Sequence, residues 1–135
     1  MRILLDTHVI IWALTNDPRL PDGARGLIVS SDHSICFSVV SLWEIALKNQ
    51  KSPAKCPYSE REILSFCIAA GYEPMNLLPT HVLAIRDLQL REGCVPGNLD
   101  PFDRLLIAQA KAEGCRLLSH DRNFVNYSEG CIALF

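Results

Sequence analysis

A chain of 135 residues, 49% hydrophobic and 21% charged, is long enough to bury a sizeable core without staples and is expected to fold as one domain over 1–135. Its formal net charge of −2 excludes the basic footprint of tight non-specific nucleic-acid binding, so any nucleic acid here is a substrate rather than a resident ligand. No apolar run approaches the ~18 residues of a membrane span, no signal-peptide pattern opens the chain, and the six cysteines lack C-x-x-C spacing; the expectation is a soluble, cytoplasmic protein, with no membrane association, whose thiols are small buried groups.

In chain order, the apolar run 2–5 predicts a strand that Asp6 closes, and helical periodicity follows over 8–15 and 22–30. A second strand is predicted at 35–38 and a helix at 41–50. Ser59 with Glu62 has capping-box spacing and opens a helix that Gly71 closes. A short strand at 73–77 precedes a helix over 81–90, with Thr80 as its cap. Asp100 stands before Pro101, a favoured first helical residue, and Phe102, Leu105, Leu106, Gln109 and Ala110 carry the period until Gly114 ends it. Strands at 115–118 and 131–134 complete the chain. Strands separated by helices predict a parallel sheet covered on both faces, an α/β fold arranged as a three-layer α/β/α sandwich.

The acids fall where such a fold gathers ligands. Asp6, Glu44, Asp100, Asp103 and Asp121 each sit at a predicted strand end or near a helix start, and in an open α/β sheet these ends share one edge. Each acid also has a structural reading. Glu44 could complete a capping box with Ser41, Asp100 could be an N-cap, and Asp103 could be the favourable first-turn acid of the same helix. Asp6 and Asp121 fit such readings less well, because no lysine or arginine is fixed beside them by local spacing. Two carboxylates ~5 Å apart repel by about 3 kcal/mol at an effective dielectric near 20. A metal ion, protons or an inserted cation must answer that repulsion.

Other chemistries lack their residues. There is no G-x-G-x-x-G, no G-x-x-x-x-G-K-[ST] and no G-x-S-x-G, so neither a nucleotide-phosphate loop nor a serine nucleophile is encoded. His8, His33, His81 and His120 have no pairwise metal spacing. Trp12 and Trp43 occupy helical faces and read as packing. A phosphoacceptor receiver domain would need an acidic pair after the first strand and a lysine ending the fifth. Here Asp6 is followed by Thr7, and the last strand has no lysine.

The strings Leu4-Leu-Asp-Thr-His-Val-Ile-Ile-Trp12, Val40-Ser-Leu-Trp-Glu-Ile-Ala-Leu-Lys48, Asp100-Pro-Phe-Asp-Arg-Leu-Leu-Ile-Ala-Gln-Ala110 and Leu117-Leu-Ser-His-Asp121-x-x-Phe124 closely resemble the PIN-domain family, in its VapC-like toxin branch. Four motifs in order span nearly the whole chain. The resemblance implies a metal-dependent endoribonuclease, toxin of a toxin–antitoxin pair, with RNA as substrate, a cognate antitoxin as partner and homodimerisation. Carried over by motif, Asp6, Glu44, Asp103 and Asp121 form an acidic quartet and Asp100 is an additional acid. Asp6, Asp100, Asp103 and Asp121 are the metal ligands implied, with the hydroxyls of Thr7 and Ser119 beside them. Mg²⁺ suits an all-oxygen site, and Mn²⁺ could substitute. Lys48, Lys51, Lys55, Arg104 and Arg122 are candidate phosphate contacts. The chain departs from the branch at Asn98, where many relatives carry histidine, and after Lys48, where Gly-Lys is usual. A housekeeping or degenerate PIN module that processes or binds RNA without an antitoxin is the alternative.

Overall fold

The computed structural model describes residues 1–95 and 99–135, and the Asn98 position lies outside them. Its elements in chain order are β1 (Arg2–Leu5), α1 (Thr7–Leu14), α2 (Asp22–Val29), β2 (Ser34–Ser38), α3 (Val39–Lys51), α4 (Glu60–Ala69), β3 (Glu73–Met75), α5 (Pro79–Ala84), α6 (Pro101–Glu113), β4 (Arg116–Ser119) and β5 (Ile132–Leu134). Three-ten turns at Ile85–Asp87 and Arg122–Asn126 supplement the helices.

All strand pairings are parallel, in the order β3-β2-β1-β4-β5. Parallel strands buried on both faces read as continuous apolar runs, which is why 2–5 and 116–119 show no polar alternation. The alternation is present in where each side chain packs. Ile3, Leu5, Ile35, Phe37 and Leu118 join Val9, Ile10, Ala24, Ile28, Ile45 and Ile63 from α1–α4 on one face. Leu4, Cys36 and Leu117 join Met75, Leu106, Ile107 and Ala110 on the other, with Phe124 and Tyr127. Helices therefore cover both faces, giving the three-layer α/β/α sandwich.

Local chemistry sets the element ends. Ser59 Oγ accepts from Glu62 N–H at 3.2 Å while Glu62 Oε1 accepts from Ser59 N–H at 3.1 Å, the reciprocal box expected there. Gly71 leaves α4 at φ +81° and Gly114 leaves α6 at φ +67°, conformations that L side chains adopt at a cost.

Three elements depart from the sequence reading by two residues or more at a boundary. Helix α3 starts at Val39, capped by Ser38, whose Oγ accepts from Val40 N–H at 3.0 Å. Ser41 therefore lies inside the helix, and the Ser41–Glu44 capping box does not exist. Helix α5 starts at Pro79 rather than after Thr80, with Leu78 N–H donating to His81 Nδ1 at 3.0 Å. It yields to the three-ten turn and ends before 90, because Leu88 turns into the core and Leu90 bridges Tyr127. Strand β3 stops at Met75, short of the expected 77.

All six cysteines are free; Cys36, Cys67 and Cys115 are buried, and the other three partly so. No helix among the described residues is long and apolar enough to cross a membrane.

Candidate active site

Strand order reverses at β1, whose neighbours are β2 on one side and β4 on the other. Crevices outside the carboxyl ends of strands at such a reversal are where open α/β sheets bind ligands. Asp6 follows β1 there, and its N–H donates to Leu118 O on β4 at 3.0 Å. Both carboxylate oxygens of Asp6 are held. Oδ1 accepts from Thr7 N–H at 2.8 Å, and Oδ2 accepts from the Ser119 hydroxyl at 2.7 Å. Ser119 Oγ accepts in turn from Asp121 N–H at 3.0 Å, so one hydroxyl links the acids following two adjacent strands. Burial, assisted by the charge of Glu44, pushes the Asp6 carboxyl up to about 6, against the two hydrogen bonds and His8.

Glu44 reaches the same place from the second turn of α3. Its Oε1 accepts from Thr7 Oγ1 at 2.7 Å, and Thr7 shares a hydrogen bond with Ser41 Oγ at 3.0 Å. Oε2 is ion-paired with Lys48 Nζ at 2.6 Å, one helical turn on. Burial lowers the Lys48 pKa, but the hydrogen bond and charge of Glu44, with Asp100 and Asp6 behind it, outweigh that and raise it. Lys48 is thus bound first to a carboxylate, a role that differs from simple phosphate contact.

Asp103 comes from the first turn of α6 and is buried. Among the described residues, no donor is hydrogen-bonded to its carboxylate. Burial, and then repulsion from Asp6, Asp100, Asp121 and Glu44, push it up to about 8. A carboxylate placed in this position without donors is destabilised unless a proton or cation joins it. Asp100 is exposed and caps α6, its Oδ1 accepting from Phe102 N–H at 2.8 Å and Asp103 N–H at 3.1 Å. Asp121 caps the three-ten turn, accepting from Asn123 N–H at 2.9 Å. For these two acids the capping role and a place beside Asp103 coexist.

The donor set is all oxygen, which suits a hard divalent cation. Among the described residues no three acidic side chains converge closely enough to grip one ion directly. An ion that keeps several of its waters, as Mg²⁺ does, fits a site of this breadth.

The five acids singled out from sequence are therefore electrostatic neighbours, with Thr7 and Ser119 bonded to them. His8 and His120 are exposed and hydrogen-bonded to none of them; His120 Nδ1 donates to the Phe135 carbonyl instead. Ser41 was missed as a member of the Thr7–Glu44 network. Its signal, a hydroxyl one turn before Glu44, was absorbed by the capping-box reading. Trp12 is half-buried against the core, but Trp43 is 53% exposed, its ring 4.8 Å from that of Phe102. Once Glu44 and Ile45 face inward, the preceding residue of the helix faces out, so Trp43 packs on Phe102 at the surface rather than in the core.

The sequence profile of the PIN domain matches residues 3–130. The chain belongs to the PIN domain family. Solved structures of similar fold include a chain of VapBC2 from Rickettsia felis bound to a DNA fragment from its promoter, at a TM-score of 0.71 and 17% identity, covering 100% of this chain and 99% of that one. DNA-bound VapBC from Salmonella typhimurium gives 0.68 at 18% identity, covering 98% and 97%. A toxin–antitoxin complex from Klebsiella pneumoniae gives 0.59 at 14%, covering 97% and 95%. Comparison with curated protein sequences found none that matches. At these identities the likeness to solved structures establishes the PIN-like fold.

Proposed function

We propose that this PIN domain is a Mg²⁺-dependent endoribonuclease, the toxin of a toxin–antitoxin pair. The observation that carries the reading is Asp103, buried without a hydrogen-bond donor among the described residues and repelled by four other acids. Nuclease chemistry supplies the missing cation. Asp6, Asp103, Asp121 and Asp100 would hold it in part through its waters; when bound, Mg²⁺ or Mn²⁺ would neutralise charge developing on a phosphodiester and acidify a water.

The chain's own residues prepare that chemistry. Thr7 N–H and Ser119 Oγ fix both oxygens of Asp6, so its carboxylate cannot rotate away. Glu44, held between Thr7 and Lys48, would orient a water or take its proton. Single-stranded or looped RNA fits such an edge site better than duplex, because an unstacked backbone can approach it. The similar solved chains come from VapBC and toxin–antitoxin complexes, which supports a cognate antitoxin as partner; homodimerisation is proposed from the family resemblance alone. The purified chain is expected to cleave RNA with Mg²⁺ or Mn²⁺ and to stop when the ion is chelated. Cleavage that survives exhaustive chelation removes the metal from the reading.

A further inference from the structure

A groove of about 620 Å³ lies between α1 and the connection from α3 to α4. Thr7 and Lys48 line it and also hold Glu44, so the groove adjoins the acidic site through these two residues. Lys51 and Lys55 line it as well, with Trp12 and Tyr58 as aromatic walls; its one acid, Asp17, is ion-paired with Arg19, whose guanidinium lies 5.1 Å from the Trp12 ring. Both lysines are exposed, and neither is in any of the ion pairs found among the described residues. The connection that carries Lys55 is fastened to α3: Asn49 Nδ2 donates to Cys56 O at 2.8 Å, and Lys55 and Cys56 N–H both donate to Ser52 O at 3.0 Å.

Resting on the ribonuclease reading, we infer that this groove is the track along which single-stranded RNA leaves the acidic site, its phosphates held by Lys51 and Lys55 and a base lying against Trp12 or Tyr58. An acidic centre in a chain of net charge −2 repels a polyanion, so attraction has to be local and close to the carboxylates. Cations alternating with aromatic surface along a groove are how single strands are held without reading sequence. Lys51 stands one helical turn beyond Lys48, so successive cations lead outward from the site.

The test is fluorescence anisotropy of a labelled single-stranded RNA with the intact chain in chelating buffer, where the RNA is not cut, titrated across salt concentrations. Lys51→Gln/Lys55→Gln is expected to weaken binding about ten-fold at low salt, and to reduce the salt slope by about 1.4, two phosphate contacts at ~0.7 each. Lys51→Arg/Lys55→Arg should keep both near the parent values. Arg116→Gln, at the opposite end of β4 from the site, is the control and should bind as the parent does. Parental affinity and slope in the glutamine variant, while the parent cleaves RNA with Mg²⁺, overturns the groove and leaves the nuclease standing. Should the parent neither bind nor cleave RNA, the underlying reading falls and the groove with it. Loss of capture of an antitoxin protein with RNA affinity intact assigns the groove to a protein segment and overturns the inference.

Discussion

Asp103 is buried, accepts no hydrogen bond among the described residues and faces four acids, so without a cation the folded protein keeps its proton up to about pH 8. Asp6 does the same to about 6. Because both pKa values are raised, the folded state binds more protons than the unfolded chain between the ordinary carboxylate range and these values. Their contribution to stability is present at low pH and is lost as pH rises through 6 and then 8. Metal-free thermal melts should therefore fall in midpoint across this window, and Asp103→Asn should flatten the fall and raise the midpoint at the alkaline end. An unchanged pH profile in Asp103→Asn would place the repulsion elsewhere. This acid was legible in the sequence as a motif member, but its strain was not. Strain depends on burial and on partners from β1, α3 and the three-ten turn, none of which is near it in sequence.

Helix caps carry the same double reading one level up. Asp100 caps α6 through two backbone N–H groups, so Asp100→Ala is expected to cost about 1 kcal/mol of stability, whereas Asp100→Ser should retain the cap. If Asp100 also serves the cation, serine restores the melting midpoint and not the cleavage rate; chemical denaturation and an RNA assay on the same preparations separate the two. The elements themselves were largely readable. The Ser59–Glu62 box, the Pro101 start and the Gly114 stop each rest on local chemistry that sequence spacing exposes. The errors fall where tertiary contacts decide. At the start of α3, Ser38 was the better cap because it also ends β2 and donates to Gln109 on α6, a partner 71 residues away. Ser41, with the right spacing for a box, was drawn instead into the Thr7–Glu44 network. At α5, the cap residue and the early end follow from His81 and Leu88 turning inward, which periodicity alone does not fix.

On the scale of the whole molecule, the sheet supplies little charge and much placement. The order β3-β2-β1-β4-β5 brings acids from opposite ends of the chain to one edge, and alternating helices and strands were enough to predict that edge. Which acid would be comfortable there was not predictable, since only the assembled neighbourhood sets it. A cation that binds the folded state alone should stabilise the entire domain. It must displace protons from Asp6 and Asp103 when they carry them, so the rise in melting temperature with added Mg²⁺ should be large near pH 8 and small near pH 5. A shift independent of pH would detach ion binding from these two carboxylates. The bond from Ser119 to Asp6 spans 113 residues of chain, and that span has a meaning in time. Asp6 leaves the ribosome early, while Asp103, Ser119 and Asp121 follow only after most of the domain has been translated, on the order of ten seconds later at roughly 5–20 residues per second. A growing chain consequently holds only a part of its acidic site during that interval; on the proposed ribonuclease reading, no complete site exists near the messenger until it ends.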